Sequence, residues 1–347
     1  MNPVPVPLLA HPVAAHPEAV RAVRRNHTVA AADSPPAYAL DTPRLTPRWG
    51  GMTAQQSPPA PVMAWAERTL GPLAVLRGAM ADPPLAHAWD VVRTGDGARF
   101  RVKIALEPGA FTRETFAHRH AVPALGPGAA PRLLATSAAH LALIVTAVPG
   151  TPVAQLRLTE STLRTVHWRA GFLLAQLHQA GRGTGSGHHD APTVLSRLAD
   201  EAAARLCTVG DCLSADEQKR VMGLADRLRF VGRLPLGYIH GGPLGSSLLW
   251  SADAQLALHD FESARFAPVV LDFVHFACGT WTAQPSLRTA FFTGYGRTPG
   301  HDEQIALRCL TALTAARRLA EARALGDQVA AAGWAVVLNR LHDEEGE

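Results

Sequence analysis

The sequence predicts an α+β chain in two lobes, a small β-rich one followed by a larger, mainly helical one. Three observations predict it. The runs Ala88–Arg93 and Arg99–Ala105, rich in β-branched and aromatic residues, flank Gly95-Asp96-Gly97, a turn between two strand patterns. Pro149-Gly150-Thr151-Pro152 then breaks the chain like a hinge. Beyond it, apolar residues recur at helical rather than alternating spacing.

Taken in order, residues 1–60 are rich in Pro, Ala and Ser, with Ser34-Pro35-Pro36 and Ser57-Pro58-Pro59 as breakers. Their poor periodicity predicts a disordered or loosely docked extension, with a short helical piece over Glu18–Arg25. The small lobe is expected over 61–148. It opens with a helix at Met63–Leu70, followed by the Gly-Asp-Gly hairpin. In the second strand Phe100, Val102 and Ile104 share one face, and Arg99, Arg101 and Lys103 the other. A helix over Phe111–Val122 stops at Pro123, and a second hairpin pairs Arg132–Thr136 with Leu141–Thr146.

The large lobe is expected over 149–347. Phe172, Leu173, Leu177 and Ala180 mark a helix over 159–180, and a glycine-rich loop follows at Gly181–Gly187. Helices over about 192–206 and 214–231 precede two short β-like runs, Leu248–Trp250 and Leu256–His259. An Ala/Arg-rich amphipathic stretch over about 303–332 is expected to pack on the core.

Composition narrows the class. At 347 residues and 47% apolar, the chain can bury a sizeable core. The net charge of +4 is spread along the chain and aromatics are 6%, which points away from nucleic acid. No run reaches the ~20 apolar residues of a membrane helix. The first residues resemble no secretory signal, and the four cysteines form no disulfide framework or zinc pattern; Cys207 and Cys212 lie five apart. The expected location is the cytoplasm. Lysine occurs only at Lys103 and Lys219, every other basic position being arginine, so each lysine asks for a geometric reason.

Phosphoryl transfer needs a lysine on the phosphates, a carboxylate holding that lysine, metal-binding groups, and a base near the acceptor. Lys103 sits on a strand of the small lobe, and Glu114, eleven residues later on the next helix, is placed to pair with it. The fullest pattern is Tyr238-Ile239-His240-Gly241-Gly242, then Ser247-Leu248-Leu249-Trp250, then Leu258-His259-Asp260-Phe261-Glu262. Asp272 in Val270-Leu271-Asp272, Gly294-Tyr295-Gly296 and, upstream, Leu174–His178 complete it.

Together these stretches resemble the aminoglycoside phosphotransferase family, over about residues 65–325. That family's catalytic loop runs His-Gly-Asp, four residues, then Asn, ahead of a strand ending in an Asp-Phe/Trp-Glu/Asp element. The resemblance implies a protein-kinase-like two-lobed fold, with the catalytic-loop region at 238–262. It implies a phosphotransferase dependent on ATP (or another nucleoside triphosphate) and Mg²⁺, acting on a hydroxyl of a small molecule or peptide, as in antibiotic resistance or ribosomal-peptide maturation. Asp260 would bind Mg²⁺, Glu262 would support the ion or its waters, and His240 would be a structural member of the loop. Asp272 would accept hydrogen bonds from that loop, and residues 146–150, with Val148, would hold adenine through backbone groups.

The sequence departs from the pattern at three places. Gly242 stands where the family has its catalytic Asp, and Ser247 where it has the metal-binding Asn. The stretch from Leu76 through Gly78 to Pro84 lacks the run of glycines expected over the phosphates. Asp190 in His188-His189-Asp190, Glu262 and His259 are the titratable candidates for a replacement base. A His-His-Asp cluster in such a loop can bind metal, but exposed loop histidines more often bind nothing. The alternative function is a catalytically impaired pseudokinase, a scaffold that binds nucleotide, peptide or a protein partner.

Overall fold

The computed structural model describes residues 57–76, 86–180, 191–209, 212–232, 234–242 and 244–343. The expected extension, up to residue 56, lies outside the described residues. So do the stretch 77–84, His188, His189 and Asp190.

Helix α1 (Ala60–Leu70) carries a proline in its first turn, where a missing N–H leaves no intrahelical bond unmade. Strands β1 (Leu73–Val75), β2 (Ala86–Arg93), β3 (Arg99–Ala105), β4 (Leu133–Ser137) and β5 (Ala142–Thr146) form one sheet in the order β1-β2-β3-β5-β4. Every neighbouring pair in it is antiparallel. Three-residue β1 carries no pattern of its own in the sequence. Val62 and Ala66 of α1 pack with Trp89, Val91, Phe100, Val102, Ala142 and Ile144 as the small core of this lobe.

Helix α2 (Pro108–His120) starts three residues before the expected Phe111, because Pro108 suits a first helical turn. It ends ahead of Val122, where a 3₁₀ turn over Val122–Leu125 takes up Pro123. Strand β3 is the middle of the sheet, so Lys103 has Ala88 on one flank and Leu143 on the other. Lys103 is buried.

After strand β6 (Thr151–Pro152) the chain is mostly helical: α3 (Glu160–Gln179), α4 (Ala191–Val209) and α5 (Ala215–Arg229). Thr159 caps α3 by accepting from Thr162 N, and a reciprocal Ser214/Glu217 box caps α5. Strand β7 (Leu236–Ile239) leads into the catalytic-loop region. It is followed by the short helix α6 (Leu244–Ser247) and strands β8 (Leu248–Trp250), β9 (Leu256–Leu258) and β10 (Arg265–Pro268). β10 returns to pair with β7, and β6, β8 and β9 make a separate small sheet. Neither β6 nor the β7–β10 pair was legible as a strand pattern, since each member has four residues or fewer.

Helices α7 (Val274–Cys278), α8 (Thr280–Ala283), α9 (Pro285–Tyr295), α10 (His301–Ala324) and α11 (Gln328–Asp343) complete the lobe. Phe273, Phe276, Trp281, Phe291 and Phe292 interlock at its centre with ring centroids 5.1–5.6 Å apart. Helices α3 and α9 lie unusually close. A methyl group on Gly294 would fall 1.8 Å from Trp168 O, and one on Gly171 would fall 2.1 Å from Phe291 O, so only glycine permits the approach.

The stretch expected as one helix over 303–332 is two, α10 and α11. Gly326, at φ +72°, turns the chain between them. Its N–H bonds Arg323 O and that of Asp327 bonds Ala322 O, the Schellman closure of a helix end. Among the described residues, no helix is long and apolar enough to cross a membrane.

Candidate active site

The site forms where the sheet of the small lobe faces the catalytic-loop region. Lys103 Nζ, 8% exposed as a side chain, lies 3.0 Å from Glu114 of α2 and 2.9 Å from Glu262, and it contacts Asp260 Oδ1. Glu114 Oε1 takes the hydrogen bond, while Glu114 Oε2 is buried without one. Burial opposes the charge of Lys103, yet the three carboxylates more than offset it and the Lys103 pKa is raised. With one ammonium among three carboxylates, burial pushes the Glu114 carboxyl up to about 7, and it also raises Glu262. Asp260 is buried less completely, at 31% of its side chain, and Lys103 outweighs burial to lower its pKa.

Backbone geometry aims Asp260 at the lysine. Asp260 has φ +68°, a left-handed conformation that aspartate tolerates better than most residues. Such strain persists only where the surroundings hold it. Here Arg113 Nε of α2 donates to Glu262 O at 3.1 Å, and His259 N donates to Ser247 O at 3.0 Å.

Behind the loop, Asp272 is fully enclosed and accepts three hydrogen bonds. They come from His240 N and Gly241 N, both at 2.8 Å, and from His178 Nε2 at 2.9 Å. Burial alone would raise the Asp272 pKa, but these donors and the nearby histidines lower it. With its proton on Nε2, His178 accepts the Tyr295 hydroxyl at Nδ1, 2.8 Å away. Sequence stretches separated by about a hundred residues thus converge on one carboxylate. Asp272 orients backbone and does not face the cleft chemistry itself.

His240, also fully enclosed, ties the loop to the following strand. Its Nε2 bonds His259 O at 2.9 Å, and its Nδ1 accepts Gly242 N at 3.2 Å. Gly241 has φ +72° and its Cβ position lies 2.6 Å from Ser263 O, so this position requires glycine. Gly242 has no such requirement. The nearest atoms to a Cβ there are His240 Cε1 and Nδ1, at 3.1 and 3.2 Å, then Asp260 O at 4.0 Å. No carboxylate among the described residues comes that near.

The other expected residues fall as follows. Ser247 ends α6 and is buried, 1% exposed. His259 turns Nε2 to Ser246 O at 3.1 Å, and burial chiefly lowers its pKa to about 4. Glu262 is engaged by Lys103. Val148, half-buried, lies between the end of β5 and Gly150 in the connection between lobes. Sequence reasoning did not single out Arg113 or Arg265, because arginine is the ordinary cation of this chain and neither sits in a motif.

Residues 84–307 match a family model described as "Phosphotransferase enzyme family". No curated protein matches the chain. Among solved structures, a macrolide 2'-phosphotransferase from Brachybacterium faecium, as apoenzyme, is 16% identical. It covers 80% of this chain and 97% of its own, at a TM-score of 0.52. A thermostable mutant of an aminoglycoside phosphotransferase, in ternary complex with ADP and hygromycin B, is 12% identical; 81% of this chain and 98% of that one are covered, at 0.55. A choline/ethanolamine kinase family protein from Mesorhizobium loti is 18% identical over 81% of this chain and 94% of its own, at 0.53. Identities this low establish likeness of fold: a kinase-like α+β fold with a β-sheet lobe and a helical lobe.

Proposed function

The chain belongs to the phosphotransferase enzyme family, and from that membership we propose that it transfers phosphate from ATP to a hydroxyl of a small molecule or peptide, slowly, through an altered catalytic loop. The observation that carries this reading is the cluster on Lys103, where Glu114 at 3.0 Å, Glu262 at 2.9 Å and Asp260 meet one ammonium. Lys103 would hold the phosphates and Glu114 would hold Lys103. Residues 146–150, with Val148, would hold adenine by their backbone groups.

The donor set fits Mg²⁺ bound with phosphates. Three carboxylates meet one ammonium, and Asp260 keeps 31% of its side chain exposed. An ion of this kind shares one or two carboxylates with substrate phosphates. Asp260 and Glu262 are the residues that would hold it. Buried Ser247, a neutral hydroxyl where the family has an amide, contributes least. When bound, the ion neutralises charge on the phosphates.

On the acceptor side, Gly242 offers no group to take the hydroxyl proton, and His259 has Nε2 committed to Ser246. A loose phosphoryl-transfer transition state asks little of a base, and base help is worth about 10²–10⁴-fold where it operates. Slow chemistry follows, with nucleotide binding intact. A second reading, a nucleotide-binding pseudokinase, is favoured by Gly242 and Ser247 together.

Titrating the full chain with ATP, with and without Mg²⁺, and then following phosphate transfer separates the two. Lys103→Ala and Asp260→Ala serve as controls. Tight Mg²⁺-dependent binding with no transfer to any hydroxyl acceptor would leave the pseudokinase, and no ATP binding at all would remove both.

A further inference from the structure

Two arginines hold consecutive carbonyls of the turn that follows Asp260. Arg113 Nε donates to Glu262 O at 3.1 Å, and Arg265 Nη1 donates to Ser263 O at 2.9 Å. Arg265 opens β10, opposite Ile239 of β7, so its guanidinium reaches the catalytic loop from the side. A methyl group on Gly241 would come within 2.8 Å of Arg265 Nη1. Helix α4 packs on β10 and carries Arg197, whose own partner, Glu201, stands at 3.8 Å on an exposed surface.

The carboxylates nearby act on this group at a distance and do not pair with it. Asp272 already serves His240 N, Gly241 N and His178. Among the described residues, neither Arg113 nor Arg265 has a carboxylate within 4 Å. Burial lowers the Arg265 pKa; the charges of Asp272 and, more weakly, Glu201 oppose this, and those of Arg197 and Arg113 add to it. A partly buried guanidinium with like charges about it costs stability unless an anion offsets it. The cluster adjoins Gly241, next in the chain to Gly242, where the loop carries no carboxylate. A cationic acceptor would meet repulsion here, and an oxyanion would meet a planar, preorganised donor.

We propose that the acceptor is anionic: a hydroxyl compound whose carboxylate or phosphate pairs with Arg265, with Arg113 and Arg197 adding attraction. The inference rests on the phosphotransferase reading for the word acceptor, and on the arginines for its charge.

The test uses the full chain with Mg-ADP at low ionic strength, titrated calorimetrically. The probes are a glutamate-flanked serine peptide, its lysine-flanked counterpart, glycerol 3-phosphate and choline. The anionic member of each pair should bind at least about tenfold more tightly. Binding confined to the peptide or to glycerol 3-phosphate identifies the source of the anion. Arg265→Gln should bring the ratio near one, and Arg265→Lys should restore part of it, which a purely structural role would not do. Lys219→Gln, an exposed cation on α5, should leave it unchanged.

Thermal melts check folding, and Arg113→Gln is the second variant if Arg265→Gln does not fold. Equal binding of the two oppositely charged members of each pair, or a preference that survives Arg265→Gln, overturns the proposal. Failure to bind Mg-ADP sinks the phosphotransferase reading instead, and the same titrations without nucleotide still decide the charge preference.

Discussion

Lys103 and Glu114 meet at 3.0 Å although only eleven residues separate them, one at the middle of the sheet and the other on the next helix. Both are buried, so neither can be removed cheaply. Lys103→Met should abolish ATP binding. It should also destabilise the fold by about 3–5 kcal/mol at neutral pH, because carboxylates are left without their cation. Glu114→Gln should cost less, since Asp260 and Glu262 still hold the lysine. Paired nucleotide titrations and denaturant unfolding of the two variants check the order.

Gly242→Asp should raise phosphate transfer. The backbone there is open to any L residue, and a Cβ requires the His240 ring to give by a few tenths of an ångström, from 3.1 Å. If a base is what the loop lacks, turnover should rise by about 10²–10⁴-fold with little change in ATP affinity. Gly241→Ala is the contrasting control. At φ +72°, with Ser263 O 2.6 Å from the new methyl, it should lower stability by more than about 1 kcal/mol. Steady-state ADP release and melting curves read the two effects.

Asp272→Asn should damage the loop without touching the Lys103 cluster. An amide keeps one acceptor oxygen: at the Oδ2 position it serves His240 N and His178 Nε2 and turns an N–H toward Gly241 N, and at the Oδ1 position it turns one toward His240 N and His178 Nε2. Leaving a buried donor unmatched costs roughly 1–3 kcal/mol. Urea unfolding should show that loss, with Mg²⁺-dependent nucleotide binding weakened less than by Lys103→Met.

His118 makes the fold acid-sensitive. It is 5% exposed on α2, with its ring against Phe261. Burial, reinforced by the Lys103 charge, lowers its pKa from 6.5 to about 4. Below pH 6.5 the unfolded chain takes up this proton and the folded one does not. Stability is therefore complete above 6.5 and falls as pH drops toward 4, by on the order of 2–3 kcal/mol from this group. His118→Gln should flatten that part of the stability–pH curve. An unchanged slope would assign the effect elsewhere.

Much of this arrangement was legible because it is local. The Gly-Asp-Gly hairpin and the hinge at Pro149-Gly150 each depend on neighbours within a turn or a strand, whereas the spacing from His240 to Asp260 was legible through the family pattern. Gly326 shows where reading by periodicity alone fails, since it divides a continuous apolar stripe into α10 and α11 through one positive φ.

What the sequence by itself determined is the two-lobed fold, the pairing of Lys103 with Glu114, and the lack of a carboxylate at position 242. Only the tertiary structure decided what surrounds that gap. Tyr295 and Asp272 reach His178 from 117 and 94 residues away, and four-residue β10 carries Arg265 back to Gly241. Contacts at such separation leave no period in the chain. They follow from how strands pair and helices pack, and that packing placed arginine against Gly241, next in the chain to the gap.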